Sequence, residues 1–378
     1  MFTKDLATLQ AKNLLRTRSI ADSDLQFVDF YSNDYLGLSN NLSVIESMCA
    51  TAKKFGVGSK GSQFICGYTN LHAKLENEFC KFIGYQKAAV FNCGYMANLG
   101  VLQAVIKKTD IIIADKYVHA SIIDGCLATG ANFARFRHMD IAHLKELLEK
   151  YKNQNIWVLT EGVFSMTGEI SDIPKIIQLL KNHKTANLII DDAHGVGVLG
   201  KNGGGVMKHF AINPKDVGLL IYPLGKAFGT QGAIVTGQNK FMEKVLQFAR
   251  TLIYSTSLPP ALIAASLQSL QIMQNDKNIF NALAKNIESF KDAANKYNLP
   301  CHPTTTAIQT IKVNNNTQAL NIQKKLREQN ILISAIRPPT VPSPIIRISL
   351  HSYNTDNEIH NLCKKLANLL ATENISCP

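Results

Sequence analysis

Through the middle of the chain, short unbroken apolar runs take turns with helical patterns. The runs are AAVF (88–91), DIIIAD (110–115), IWVLTEG (156–162), NLIIDDAHG (187–195), VGLLIYPLG (217–225) and GAIVTG (232–237). A strand with one wet face alternates polar and apolar residues, whereas a strand covered on both faces reads as continuous Val, Ile and Leu. These runs therefore predict doubly buried strands. The helical stretches between them predict a mainly parallel α/β sheet flanked by helices. From about residue 260 the pattern changes. Two long helical stretches, PPALIAASLQSLQIMQN and IFNALAKNIESFKDAANKYN, lead to AIQTIKV, a helix over about 317–329, ILISAI, IIRISL and a last amphipathic helix from 356. That is the pattern of a smaller C-terminal α+β domain. The expected divisions are an N-terminal helix and small strand segment over 1–40, a large α/β domain over 41–258 and the α+β domain over 259–378. No repeat or low-complexity segment interrupts them.

Composition narrows the class of partner. The chain has 378 residues, 46% of them hydrophobic, enough for two domains. A formal charge of +12 points to anionic ligands or an acidic partner. The basic residues are scattered, with small clusters such as KKLR (324–327), and no Lys/Arg stripe is interleaved with aromatics. Nucleic acid is therefore not an expected partner. Eight cysteines lie apart with no C-x-x-C pair, as in a reduced, cytoplasmic protein. The first twenty residues lack a continuous apolar segment, and no run approaches 18 apolar residues, so no membrane span is expected.

The polar groups that stand out sit just after the central runs. Asp191, Asp192 and His194 follow NLII, and Glu161 and Ser165 follow WVLT. Gly94 and Tyr95 follow AVFN, and His119 follows IIIADKYV. Lys226 follows GLLIY, with Gly225 before it and Gly229 and Gly232 after. Ligands of parallel α/β sheets bind beyond the carboxyl ends of the strands, so these groups are expected to converge on one crevice. Each alone reads equally as a loop residue satisfied locally. Together they describe a site for pyridoxal 5'-phosphate. A lysine can form a Schiff base with an aldehyde cofactor and can act as a base once desolvated. Asp191 could keep the pyridine nitrogen protonated, which makes the ring an electron sink. An imidazole can stack on the ring. The turn in CGYMAN offers backbone N–H groups to a phosphate, and the glycines about Lys226 would let cofactor and backbone come close.

Competing motifs are incomplete. GVGVLG (195–200) fits G-x-G-x-x-G but runs on into KNGGG rather than a helix. GVGSKGS (56–62) lacks the G-K-[ST] ending of a phosphate loop. Neither H-E-x-x-H nor G-x-S-x-G occurs, and the ten histidines show no metal-ligand spacing, so no metal is expected.

The stretches SNDYLGLS (32–39), GYTNLHAKLENEFCKFIG (67–84), TEGVFSMTGEI (160–170), DDAHGVGVLG (191–200), LGKAFGTQGA (224–233) and LIYSTSLPP (252–260) resemble those of the α-oxoamine synthases. These are pyridoxal-phosphate enzymes of aminotransferase fold type I, and the resemblance covers nearly the whole chain. It implies a seven-stranded, mainly parallel sheet. It also implies roles. Lys226 would carry the cofactor, Asp191 would pair with the pyridine nitrogen, and His194 would bond the ring's phenolic oxygen. His119 would stack on the ring, with Ser165 nearby. Gly94 and Tyr95 would bind the phosphate, joined by Ser255 and Thr256 of the other subunit, which implies a homodimer with shared sites. Arg347 and Asn33 would hold the amino-acid carboxylate, and Arg16 and Thr340 would contact the acyl substrate. AIRPPTVP (335–342) points to the biotin branch, which joins L-alanine to a pimeloyl thioester of acyl carrier protein or coenzyme A.

Two positions depart from the family pattern. Pro223 stands where a threonine usually binds the phosphate, and proline has neither hydroxyl nor N–H. Gln63 stands where an arginine is common. Two alternatives stay open: the same cofactor used with glycine and a short acyl-coenzyme A, as in glycine C-acetyltransferases and 5-aminolevulinate synthases, or a binding protein that keeps the fold without the chemistry.

Overall fold

The computed structural model describes residues 6–16, 18, 26–301 and 303–372. The apolar runs form one seven-stranded sheet: β1 Lys87–Phe91, β2 Ile111–Asp115, β3 Asn132–Phe136, β4 Ile156–Glu161, β5 Ala186–Asp191, β6 Leu219–Pro223 and β7 Ala233–Gly237. The order across it is β1-β7-β6-β5-β4-β2-β3. Every residue of β2, β4, β6 and β7 is buried, which is why their sequences do not alternate. The edge strand β3, NFARF, is the one the apolar pattern does not mark, because four of its five residues stay partly or fully exposed.

Strands β3, β2, β4, β5 and β6 pair in parallel, and β7 runs antiparallel to both β6 and β1. A parallel crossover needs a dozen or more residues. Only residues 224–232 join β6 to β7, so the chain must turn straight back. Two successive reversals leave β1 parallel to β6. The carboxyl ends of β1, β2, β4, β5 and β6 therefore share one edge of the sheet.

Helix α1 (Gly94–Val105) follows β1, and helix α2 (Ala120–Thr129) follows β2. Ala97, Val101, Leu102 and Val105 of α1 pack into the core with Ile112, Ala114, Trp157, Leu159, Ile189 and Val235 of the sheet. Gly130 ends α2 in the left-handed region, at φ 69, which a residue without Cβ adopts at no steric cost.

The chain forms two compact units. The larger comprises 36–165 and 169–280, and the smaller draws on 1–35, 166–168 and 281–378. The change of pattern near 258/259 is thus not where the units part. The helix Pro260–Asn275 packs on Leu42–Phe55 and Asn70–Ile83 of the larger unit, through apolar residues such as Ile263, Leu267 and Leu270. The N-terminal strand Val28–Asp29 pairs in parallel with Ile331–Leu332 of the smaller unit, and the Ser349 N–H donates to the Phe30 carbonyl at 2.9 Å. That smaller unit also holds the antiparallel sheet of Ser334–Ile336, Ile345–Ser349 and Ile308–Lys312. Among the described residues no helix is long and apolar enough to cross a membrane.

Candidate active site

At the shared carboxyl edge the larger unit holds a cleft of about 160 Å³. Gly94, Tyr95 and Asn98 reach it from α1, His119 and Ser121 from the start of α2, Glu161 from the end of β4, Asp191 and His194 from β5 and the loop after it, and Pro223 and Lys226 from β6 and its turn. Groups more than a hundred residues apart meet because each follows a parallel strand.

The acids are held in different ways. Asp191 Oδ2 accepts from Asn98 Nδ2 at 2.7 Å, and its Oδ1 accepts the Ala193 N–H at 3.1 Å. Glu161 lies opposite Asp191 in the β4–β5 register. Its Oε2 accepts the Ser165 N–H at 3.3 Å, while its Oε1 is buried without a hydrogen-bond partner. Burial, then the charge of Asp191, pushes the Glu161 carboxyl up to about 8, against the opposing pull of Lys226 and two backbone N–H groups. Glu161 therefore carries a proton at neutral pH. Asp192, the neighbour in the sequence pair, does not line the cleft. Its Oδ2 accepts the Val206 N–H at 2.9 Å, and a Cβ on Gly162, Gly195 or Gly205 would come within 2.2 Å of its carboxyl oxygens. Burial raises its carboxyl well above the usual range, and it packs away from the cleft.

The lysine turn is fixed by its own backbone. The Leu224 N–H donates to the Gly232 carbonyl at 2.9 Å and the Gly229 N–H to the Lys226 carbonyl at 2.7 Å. Two of its glycines serve packing rather than close approach of a ligand. Gly229 has φ +64, and a Cβ there would lie 2.2 Å from the Ser39 nitrogen. Gly232 has φ +112, and a Cβ there would lie 2.5 Å from Leu258. Gly225 is exposed, with nothing closer than 3.6 Å to such a Cβ, so sterics alone do not demand glycine there.

A half-buried amine, carboxylates, two imidazoles and the start of a helix in one cleft form a donor set for an anionic, ring-bearing aldehyde. Comparison with known proteins agrees. Residues 26–366 match the model of aminotransferase class I and II. The chain belongs to that family. Within it, the chain is 39% identical over 373 residues to the 8-amino-7-oxononanoate synthase of Pseudomonas putida (strain GB-1), covering 96% of this chain and 95% of that one. It is 38% identical to the synthase of that name from Saccharophagus degradans, covering 97% and 96%. Among solved structures it is similar to the 8-amino-7-oxononanoate synthase of Francisella tularensis, with TM-score 0.81, 36% identity and coverage of 92% and 99%. It is also similar to a serine palmitoyltransferase from S. paucimobilis with a bound PLP-myriocin aldimine, with TM-score 0.88, 26% identity and coverage of 92% and 88%.

Pyridoxal phosphate fits the residues present. The N–H groups in the first turn of α1 have no intrahelical acceptor, and Cys93 offers no side-chain cap. They are the natural seat of a phosphate. Gly94 is needed there, since a Cβ would lie 2.7 Å from the Pro223 ring. Pro223 thus lines the cleft as an apolar wall with no donor of its own. Gln63 is turned elsewhere and donates from Nε2 to the Val90 carbonyl at 2.6 Å.

Of the residues picked out by sequence, Gly94, Tyr95, His119, Asp191, His194 and Lys226 line the cleft. Ser165 stands beside it through Glu161. Ser255 and Thr256 are not in its wall. Thr256 bridges to Ser62, and its carbonyl accepts from Asn92 at 2.6 Å. In the smaller unit, Arg347 Nη2 donates to Asn33 Oδ1 at 3.0 Å and its Nη1 to Ser349 Oγ at 2.9 Å. Arg16 and Thr340 line a second cleft there, of about 180 Å³, together with Arg337, which binds the carbonyl of Asn13. The sequence reading missed Asn98 and Ser121. The available signal was one asparagine, four residues after Gly94, on the otherwise apolar buried face of α1.

The Glu161 shift has a sign. Below about pH 4.5, its ordinary value, folded and unfolded chains both hold the proton and the contribution to stability is fully present. As pH rises through about 8 the contribution is lost. Glu161→Gln keeps the shape and removes the titration. In thermal melts of the cofactor-free protein, the variant is expected to lose less stability between about pH 5 and 8 than the native chain, by on the order of a few kcal/mol. Equal slopes would refute the raised value.

Proposed function

We propose that this protein is a pyridoxal-phosphate-dependent acyltransferase that condenses L-alanine with a pimeloyl thioester and releases CO₂, giving 8-amino-7-oxononanoate for biotin synthesis. One observation carries the reading. Lys226, Asp191, His119 and the open start of α1 share a single cleft, in a chain 39% identical over nearly its full length to synthases of that name.

Bound pyridoxal phosphate supplies an electron sink for the charge left at the amino acid's Cα. Lys226 would hold the cofactor covalently, and its amine would serve as the base at the substrate Cα. Asp191, anchored by Asn98 and the Ala193 N–H, keeps a proton on the ring nitrogen. His194 bonds the phenolic oxygen, and Ser165 supports the ring. The first N–H groups of α1, at Gly94 and Tyr95, take the phosphate, with Ser255 and Thr256 reaching the partner subunit's cofactor. Arg347 and Asn33 bind the substrate carboxylate, a task suited to a planar guanidinium. Arg16 and Thr340 meet the acyl chain. The +12 charge favours approach of an anionic coenzyme A or acyl carrier protein donor.

Steady-state rates with alanine and glycine, each against pimeloyl and acetyl thioesters, test the assignment. Alanine with the pimeloyl donor is expected to give the highest kcat/KM. Turnover with glycine alone would overturn it in favour of the short-chain branch.

A homodimer is supported by large apolar side chains left exposed. Val57 is 87%, Ile65 83% and Tyr254 71% exposed, on two segments that the Ser62–Thr256 bridge ties together. Light scattering is expected to give about twice 41.7 kDa, and a monomer mass would contradict shared sites.

A further inference from the structure

His119 is the N-cap of α2. Its Nδ1 accepts the Ser121 N–H at 3.2 Å, and the Ser121 hydroxyl lies 2.8 Å from the same nitrogen. A capping nitrogen must present a lone pair, so it carries no hydrogen. The buried groups behind it agree. Asn98 Nδ2 donates one hydrogen to Asp191 Oδ2 at 2.7 Å and the other to Ser121 Oγ at 2.9 Å. The Asp191 carboxylate fixes which end of the Asn98 amide faces it. Because Nδ1 presents a lone pair to the cap and Oγ accepts from Asn98, the remaining contact is the Ser121 hydroxyl donating to Nδ1. The chain Asp191–Asn98–Ser121–His119 therefore runs in one direction, and the neutral ring holds its hydrogen on Nε2.

We propose that Asn98 and Ser121 are positioning residues that lock His119 as the neutral Nε2–H tautomer, so that it serves the reaction as a hydrogen-bond donor to a substrate oxygen and not as an acid or base. The lock stands on the helix cap together with the hydrogen-bond chain behind it, and its use in the reaction rests on the function proposed above. Protonating Nδ1 would set an N–H against the Ser121 N–H, break the cap and place a cation at a helix N-terminus. The charged groups around the ring are Asp191, Lys226 and Asp124, with the Tyr95 ring edge-on at 6.5 Å. One edge of the imidazole is exposed, yet desolvation of the rest, then Lys226, outweighs the two acids and holds it below the usual histidine range. A neutral N–H donor can polarise a carbonyl or carboxylate oxygen as charge develops there.

The test is ¹⁵N NMR of the holoenzyme with labelled histidine, His119 being assigned from its missing signal in His119→Gln. The native ring is expected to show the Nε2–H tautomer with no titration from about pH 6 to 9. Ser121→Ala removes the hydroxyl and Asn98→Ala cuts the chain. Each is expected to mix the tautomers and raise the midpoint by roughly one unit, and Ser121→Thr to restore the native spectrum. An Nδ1–H ring or an imidazolium at pH 7 would overturn the proposal, as would variants that leave the native signal unchanged. The native spectrum decides even where a variant does not fold. An Nε2–H ring in an enzyme that rejects alanine would sink only the substrate assignment, whereas a charged ring in an alanine-specific enzyme would sink only this one.

Discussion

A sheet sealed on both faces can take polar groups only where its strands stop. Strands β2, β4, β6 and β7 are buried throughout, so charge along them would be stranded away from water. The parallel order gathers the stopping points of β1, β2, β4, β5 and β6 on one edge. The nine residues 224–232 then matter twice: they are too few for a crossover, so β7 reverses, and they carry Lys226 on the turn that the reversal makes. The cleft is thus a consequence of topology before it is an arrangement of catalytic groups.

Electrostatics within the cleft follow from crowding. Asp191, Glu161 and Lys226 act on one another at buried or half-buried positions. Two adjacent carboxylates in such a place cannot both stay charged without cost, and environment divides the roles. Asp191 has two donors on its oxygens, while Glu161, with one oxygen unpartnered, is pushed up to about 8 and keeps its proton. His119 is neutral for a third reason, the lone pair its helix cap demands.

Much of this was legible in the sequence because the signals were local. Continuous apolar runs gave six of the seven strands, and the odd polar residues at their ends gave Lys226, Asp191, His119, His194 and the start of α1. The edge strand β3 escaped because NFARF is half exposed and mixes Arg and Asn with its aromatics. The unit boundary escaped because the helix 260–275 belongs by packing to the larger unit, although the change of pattern groups it with the C-terminal stretch. Asn98 and Ser121 escaped because their importance lies in hydrogen bonds to residues 93 and 2 positions away, which only the folded chain brings into register. The glycines of the lysine turn were expected to let cofactor and backbone come close, whereas at 229 and 232 it is Ser39 and Leu258 that leave no room for a Cβ.

The proposed function makes Lys226 the covalent seat of the cofactor. Reduction of the holoenzyme with borohydride, proteolysis and mass spectrometry read this directly. A pyridoxyl label is expected on the peptide containing Lys226 and on no other lysine. A label elsewhere, or none on a protein that has bound the cofactor, would contradict it.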